Sequence, residues 1–216
     1  MIKLNKFTFN IRSFIPRNDL VNLPSNEDIK NTFKNFKNNE IISCVDYFSK
    51  SNLFYCHICS YPYTWTFYNN ITNNFPGGLF KCVREISLCD ERPFEHEFFL
   101  QIAESFPFME KLSLYNHEPQ QNKNLKWLMI EYTHLTKLDL VATHENYVEQ
   151  FLNNTKTCLL NNIYLRVRYD SLQKVTDDFT RDATRVNCSK IIGLVSNNKQ
   201  KLLAKSKDYF PYAEIY

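Results

Sequence analysis

The chain has 216 residues, of which 44% are apolar and 23% charged, with a formal net charge of +3. This is globular composition, long enough for one or two domains with a substantial core. The small net charge does not imply a nucleic-acid partner, which normally needs a concentrated basic face, and no run of about 18 apolar residues is present to span a membrane as a helix.

Phe7, Phe9 and Ile11 alternate with polar residues and predict a first strand. Ser25 with Asp28 has capping-box spacing, and Ile29, Phe33 and Phe36 follow at helical intervals. Ile41, Val45 and Phe48 predict a second helix, although Ile41–Val45 also reads as a strand. Leu53–Cys59 predicts a strand. Tyr68, Ile71 and Phe75 fit one helix face, ending at the turn Pro76-Gly77-Gly78.

From there strand and helix alternate. Strands are expected at Val83–Leu88, Met109–Leu114, Leu135–Val141, Ile163–Val167 and Cys188–Val195, with a short last one at Ala213–Ile215. Helices are expected from Phe94, Phe98 and Ile102, then around Leu125–Tyr132, then from Tyr147, Val148, Phe151 and Leu152. A further helix takes Leu172, Val175 and Phe179, with Asp170 or Ser171 at its cap.

The strands share a periodic pair of apolar residues. Ile86/Leu88, Leu112/Leu114, Leu138/Leu140, Leu165/Val167 and Ile192/Leu194 have first members 26, 26, 27 and 27 residues apart. A near-constant period in the twenties around an L-x-L pair predicts an irregular leucine-rich-repeat-like solenoid of strand–helix units with a parallel sheet. We divide the chain into residues 1–50, an N-terminal strand and helical segment, and residues 51–216, the repeat domain. The structural rival is a doubly wound α/β sheet. The residues that follow each pair, Cys89-Asp90, Tyr115-Asn116 and Val141-Ala142, do not line up as an asparagine ladder.

Seven cysteines without framework spacing, and an N-terminus broken by Lys3, Lys6, Asn10 and Arg12, predict free thiols in the cytoplasm or nucleus. On that reading the sequons at Asn70, Asn153 and Asn187 stay unmodified. Cys56-His57-Ile58-Cys59 lacks the second pair that zinc requires, and in a strand its two thiols point to opposite faces. His96, between Glu95 and Glu97, reads as a solvated helix start. Asp177, Asp178 and Asp182 beside Arg181 and Arg185 read as a salt-bridged helix face. Pro76-Gly77-Gly78 lacks the pattern of a phosphate loop. No cofactor and no metal site is expected.

Residues Asn73–Phe80, Asp90–Phe99, Glu149–Leu152 and Asp178–Arg185 resemble the C-terminal region of F-box/leucine-rich-repeat-like families. The resemblance spans roughly residues 40–216. It implies a substrate receptor of a cullin-type ubiquitin ligase, whose adaptor is gripped by an F-box. Leu23-Pro24, Glu27 and Ile29 echo the opening of an F-box, and the rest of that pattern does not follow.

The residues between the L-x-L positions face away from the leucine core. They include Glu85, Ser87, Lys111, Ser113, Tyr115, Lys137, Asp139, Tyr164, Arg166 and Arg168, a polar, aromatic and increasingly basic patch. We take Tyr115, Lys137, Asp139, Tyr164, Arg166 and Arg168 as the candidate surface for a protein partner with an acidic face. The alternative is an enzyme whose site lies at the C-terminal strand ends, where His117, His144 and Asp170 would meet.

Overall fold

The computed structural model describes residues 8–17, 25–34, 40–121 and 128–216. The opening unit is an antiparallel sheet in which β3 (Leu53–Tyr61) lies between β1 (Asn10–Pro16) and β2 (Glu40–Phe48). The β2–β3 hairpin thus runs across residue 50. Helix α1 (Asn26–Thr32) starts in a capping box, with Asp28 N–H donating to Ser25 Oγ at 3.1 Å and Ser25 N–H to Asp28 Oδ2 at 2.8 Å. Phe7, Leu23, Pro24 and Phe36 lie outside the described residues.

Residues 41–48 form a strand, not a helix. Cys44, Asp46 and Phe48 alternate inward, and the buried polar Asp46 hides that alternation from a count of apolar residues. The Asp46 carboxylate accepts from Thr72, Asn74 and the Arg92 guanidinium. Burial raises its pKa from the ordinary aspartate value even so.

The main sheet has seven parallel strands: β4 (Phe67–Ile71), β5 (Glu85–Cys89), β6 (Lys111–Asn116), β8 (Lys137–Thr143), β10 (Ile163–Arg166), β11 (Ile191–Val195) and β12 (Glu214–Ile215). They lie side by side in chain order. Two further short strands, β7 (Ile130–Tyr132) and β9 (Thr157–Leu159), pair in parallel as a third sheet. Between the main strands come α2 (His96–Ser105), α3 (Glu145–Leu152), α4 (Tyr169–Val175), α5 (Asp182–Cys188) and α6 (Lys199–Lys205). Among the described residues, no helix is long and apolar enough to cross a membrane.

The sequence period appears as hydrogen bonds between the segments that lead into adjacent strands. Glu110 and Lys111 N–H donate to Arg84 O at 2.7 and 2.9 Å, and Thr136 and Lys137 N–H donate to Glu110 O at 2.9 and 3.0 Å. Ile86, Leu88, Leu112, Leu114, Leu138, Leu140, Leu165, Val167 and Leu194 are all buried. They share one core with Phe98, Phe99 and Ile102 of α2, Phe151 of α3 and Leu172 of α4. The opposite face of the sheet carries the exposed Glu85, Tyr115, Lys137, Tyr164 and Arg166. A doubly wound sheet would bury both faces, and this one buries one.

Several predicted elements shift for identifiable reasons. Residues 67–71 form β4, not a helix. Its register slips between Tyr68 and Ile71, with Asn70 at φ +56°, so both apolar residues point inward at a three-residue spacing that mimics a helix. A slip between Ile163 and Tyr164 against β11 makes Ile191 and Leu194 the buried pair, displacing Ile192. Cys188 closes α5, and the strand begins only at Ile191. Residues 130–132 are β7, so the helix expected around Leu125–Tyr132 is corrected there, and 122–127 lie outside the described residues. Helix α4 stops at Val175 and leaves Phe179 beyond it at φ +66°, though buried in the core. Its cap is Arg168, and Asn197 Oδ1 accepts from the following Tyr169 N–H at 2.8 Å.

No continuous asparagine ladder forms, as the sequence reading has it, but two of the residues after the pairs are buried and bond the preceding segment. Asp90 and Asn116 each stand two residues beyond the second apolar member of their pair. Asp90 accepts from Asn73 N–H at 2.8 Å, and Asn116 Nδ2 donates to Arg92 O at 2.7 Å. A register slip between β6 and β8 sets Thr143 opposite Asn116, but its hydroxyl donates to Leu140 O in its own strand at 2.8 Å, so the pattern ends there.

Candidate functional site

The parallel register sets the outward residues in rows across the sheet. One row runs Glu85, Lys111, Lys137, Tyr164, Gly193, Glu214. The next runs Ser87, Ser113, Asp139, Arg166, Val195. Of the predicted surface, Lys137, Asp139, Tyr164 and Arg166 are direct cross-strand neighbours. Tyr115 lies one step further along β6, opposite Ala142. Arg168 falls past the end of β10, at the cap of α4, and is the member most removed from the sheet.

Charge on this face is more balanced than the sequence suggests. Lys111 Nζ bonds the Glu85 carboxylate and Arg166 bonds Asp139. Asp139 also accepts from Val141 N–H at 3.2 Å, which fixes its carboxylate. The expected increasingly basic patch therefore reduces to Lys137 and Arg168, neither of which has an ion-pair partner among the described residues. Exposed pairs of this kind stabilise the fold little, and here they set the charge pattern.

An open depression of about 470 Å³ lies over β6, β8 and β10, lined by Ser113, Lys137, Tyr164, Arg166 and Val195 among others. A second, of about 410 Å³, continues along the face past Ser87, Lys111 and Tyr115. Gly193 shapes the first, and sequence reasoning missed it. A Cβ at 193 would fall 2.6 Å from Tyr164 Cε1, so glycine there lets the Tyr164 ring pack closely against β11. The scarcity of glycine in the chain was the available signal.

The other candidates take structural places. His117 and Asp170 are exposed, and the His144 side chain caps α3, its Nδ1 accepting from Asn146 N–H at 3.2 Å. His96 is buried, not solvated, with Nδ1 3.1 Å from Gln150 Oε1 and Nε2 2.7 Å from Leu128 O. Arg185 pairs with Asp182, whereas Arg181 pairs with Glu149 and Asp178 with Lys205. Cys56 and Cys59 occupy opposite faces of β3, and burial pushes the Cys59 thiol up to about 12. Asn153 and Asn187 are buried, Asn187 donating to Thr157 O at 2.7 Å. Among the described residues, no group of three His, Cys, Asp or Glu side chains is placed to hold a metal ion.

Comparison with protein-family models, with curated proteins and with solved structures finds no match to this chain.

Proposed function

We propose that the chain is a protein-interaction module built as an irregular leucine-rich-repeat-like solenoid, and that the open face of its parallel sheet is the docking surface. The observation that carries this reading is the pairing of an in-order parallel sheet with one uncovered face bearing Tyr115 and Tyr164, exposed by 49% and 45%. Tyrosines on a rigid strand lose little entropy on binding and offer large contact area. The partner is a protein with an acidic face, drawn by Lys137 and Arg168.

The resemblance to F-box/leucine-rich-repeat-like families extends this to substrate recognition for a cullin-type ubiquitin ligase in the cytoplasm or nucleus. Adaptor binding would then belong to an F-box upstream of the repeats. The test is affinity capture with mass spectrometry, using this chain and any longer product of the same gene. Substrate capture should fall in a Tyr164→Ala/Arg166→Ala double variant that keeps its fold. A ligase adaptor should be recovered with the longer product only. Equal capture by the double variant and the parent would refute the docking surface, and absence of the adaptor from every product would refute the ligase role.

A further inference from the structure

We infer that the depression over β6, β8 and β10 seats a single carboxylate from an acidic residue with apolar neighbours, in an exposed segment of the partner, and that Lys137 is the residue that binds it. The inference rests on the open sheet face being the docking surface, and adds which chemistry it selects.

The charges lead to this assignment. Three cations, Lys111, Lys137 and Arg166, line the depression. Glu85 holds Lys111 and Asp139 holds Arg166. Among the described residues Lys137 alone of the three is without a carboxylate, so the site carries one uncompensated positive charge. A polyanion such as nucleic acid, or a dianionic phosphoryl group, carries more negative charge than the one positive charge left once the Glu85–Lys111 and Asp139–Arg166 pairs are counted. A monoanionic carboxylate matches the single excess charge.

The surroundings supply the apolar half. Tyr164 is the register neighbour of Lys137, and its ring leans over Gly193, away from β8. That direction leaves the β8 side open for a ligand group. Tyr164 and Val195, exposed by 45% and 37%, border it with apolar surface. An acidic side chain flanked by an aromatic or aliphatic one satisfies both halves, the first at Lys137 and the second on Tyr164.

The experiment is a selection of random dodecapeptides displayed on phage against the full chain, followed by fluorescence polarisation with the enriched peptides made synthetically. Each is also made with its acid replaced by the amide and by phosphoserine. We expect enriched sequences to share one Asp or Glu beside an apolar residue. Lys137→Met should weaken them by at least about tenfold, as removal of a desolvated charge contact does. The amide peptide should lose as much, the phosphoserine peptide should bind no tighter, and Lys207→Met, at an exposed site elsewhere, should change nothing. Enriched peptides without an acid, or binding that survives Lys137→Met but not Tyr164→Ala, would overturn the carboxylate seat and leave the docking surface standing. A selection yielding no binder sensitive to Tyr164→Ala would overturn both. Circular dichroism of each variant separates lost binding from lost folding.

Discussion

The Tyr164 ring lies over Gly193 on the neighbouring strand, so close that any Cβ at 193 would collide with it. The contact couples a residue of the proposed docking surface to the smallest side chain in the sheet. Gly193 shows no left-handed φ, so alanine is compatible with its backbone. We predict that Gly193→Ala changes unfolding free energy by less than about 1 kcal/mol, because Tyr164 is exposed and its ring can swing outward. Partner binding should fall as the ring leaves its place. Ring-labelled tyrosine spectra would report the displacement, and an unmoved Tyr164 resonance would contradict it.

Leu138 tests the core. It sits midway along the main sheet at 1% exposure. Leu138→Ala should cost roughly 2–5 kcal/mol, the range for a buried leucine truncated to alanine. Urea unfolding gives the value, and a loss well under about 1 kcal/mol would remove Leu138 from the core.

Asn116 tests the buried polar bonds. Its Nδ2 donates to Arg92 O, and its Oδ1 accepts from Glu118 N–H at 2.9 Å. Replacement by alanine leaves two partly buried backbone groups without their side-chain partner, and should cost about 1 kcal/mol or somewhat more. Asn116→Asp retains the acceptor and loses the donor, so it should fall between the parent and the alanine variant. Equal stability of all three proteins would show that these bonds do not support the turn.

His57 gives the pH dependence. Burial, aided by the nearby Arg12 charge, lowers its pKa from 6.5 to about 3, and its Nε2 lies 2.8 Å from Asn10 Oδ1. A histidine held neutral in the fold but free to protonate when unfolded stabilises the native state above pH about 6.5. That contribution is lost as pH falls from there toward about 3, at no more than about 1.4 kcal/mol per pH unit for one proton. Asp46 shifts upward and acts in the opposite sense. The comparison that isolates His57 is parent against His57→Asn, whose stability should decline less between pH 6 and 4. Parallel pH profiles for the two proteins would show that His57 titrates alike folded and unfolded.

The parallel strand series was legible in the sequence because Leu112, Leu138 and Leu165 obey both the two-residue alternation of a strand and a near-constant spacing from one strand to the next. What was lost sits at irregular pairing. The slip at Tyr68/Ile71 turned a strand into an apparent helix, and the slip beside Ile163 moved the inward role from Ile192 to Ile191. In β2 the inward position belongs to Asp46, whose partners Thr72, Asn74 and Arg92 come from distant segments. Of the candidate site, the residue types and their shared face were readable. The pairing of Arg166 with Asp139 and the seat of Tyr164 on Gly193 depend on which strands become neighbours, and strand order had first to be known.

The most direct test of the docking surface is hydroxyl-radical footprinting of the chain alone and with the partner it captures. Tyr115 and Tyr164 should lose reactivity in the complex, while Tyr212, exposed by 72% and away from the central strands, should stay reactive. Protection of Val186 and Leu203 on α5 and α6, with Tyr115 and Tyr164 unchanged, would place the partner on the helices and contradict the account.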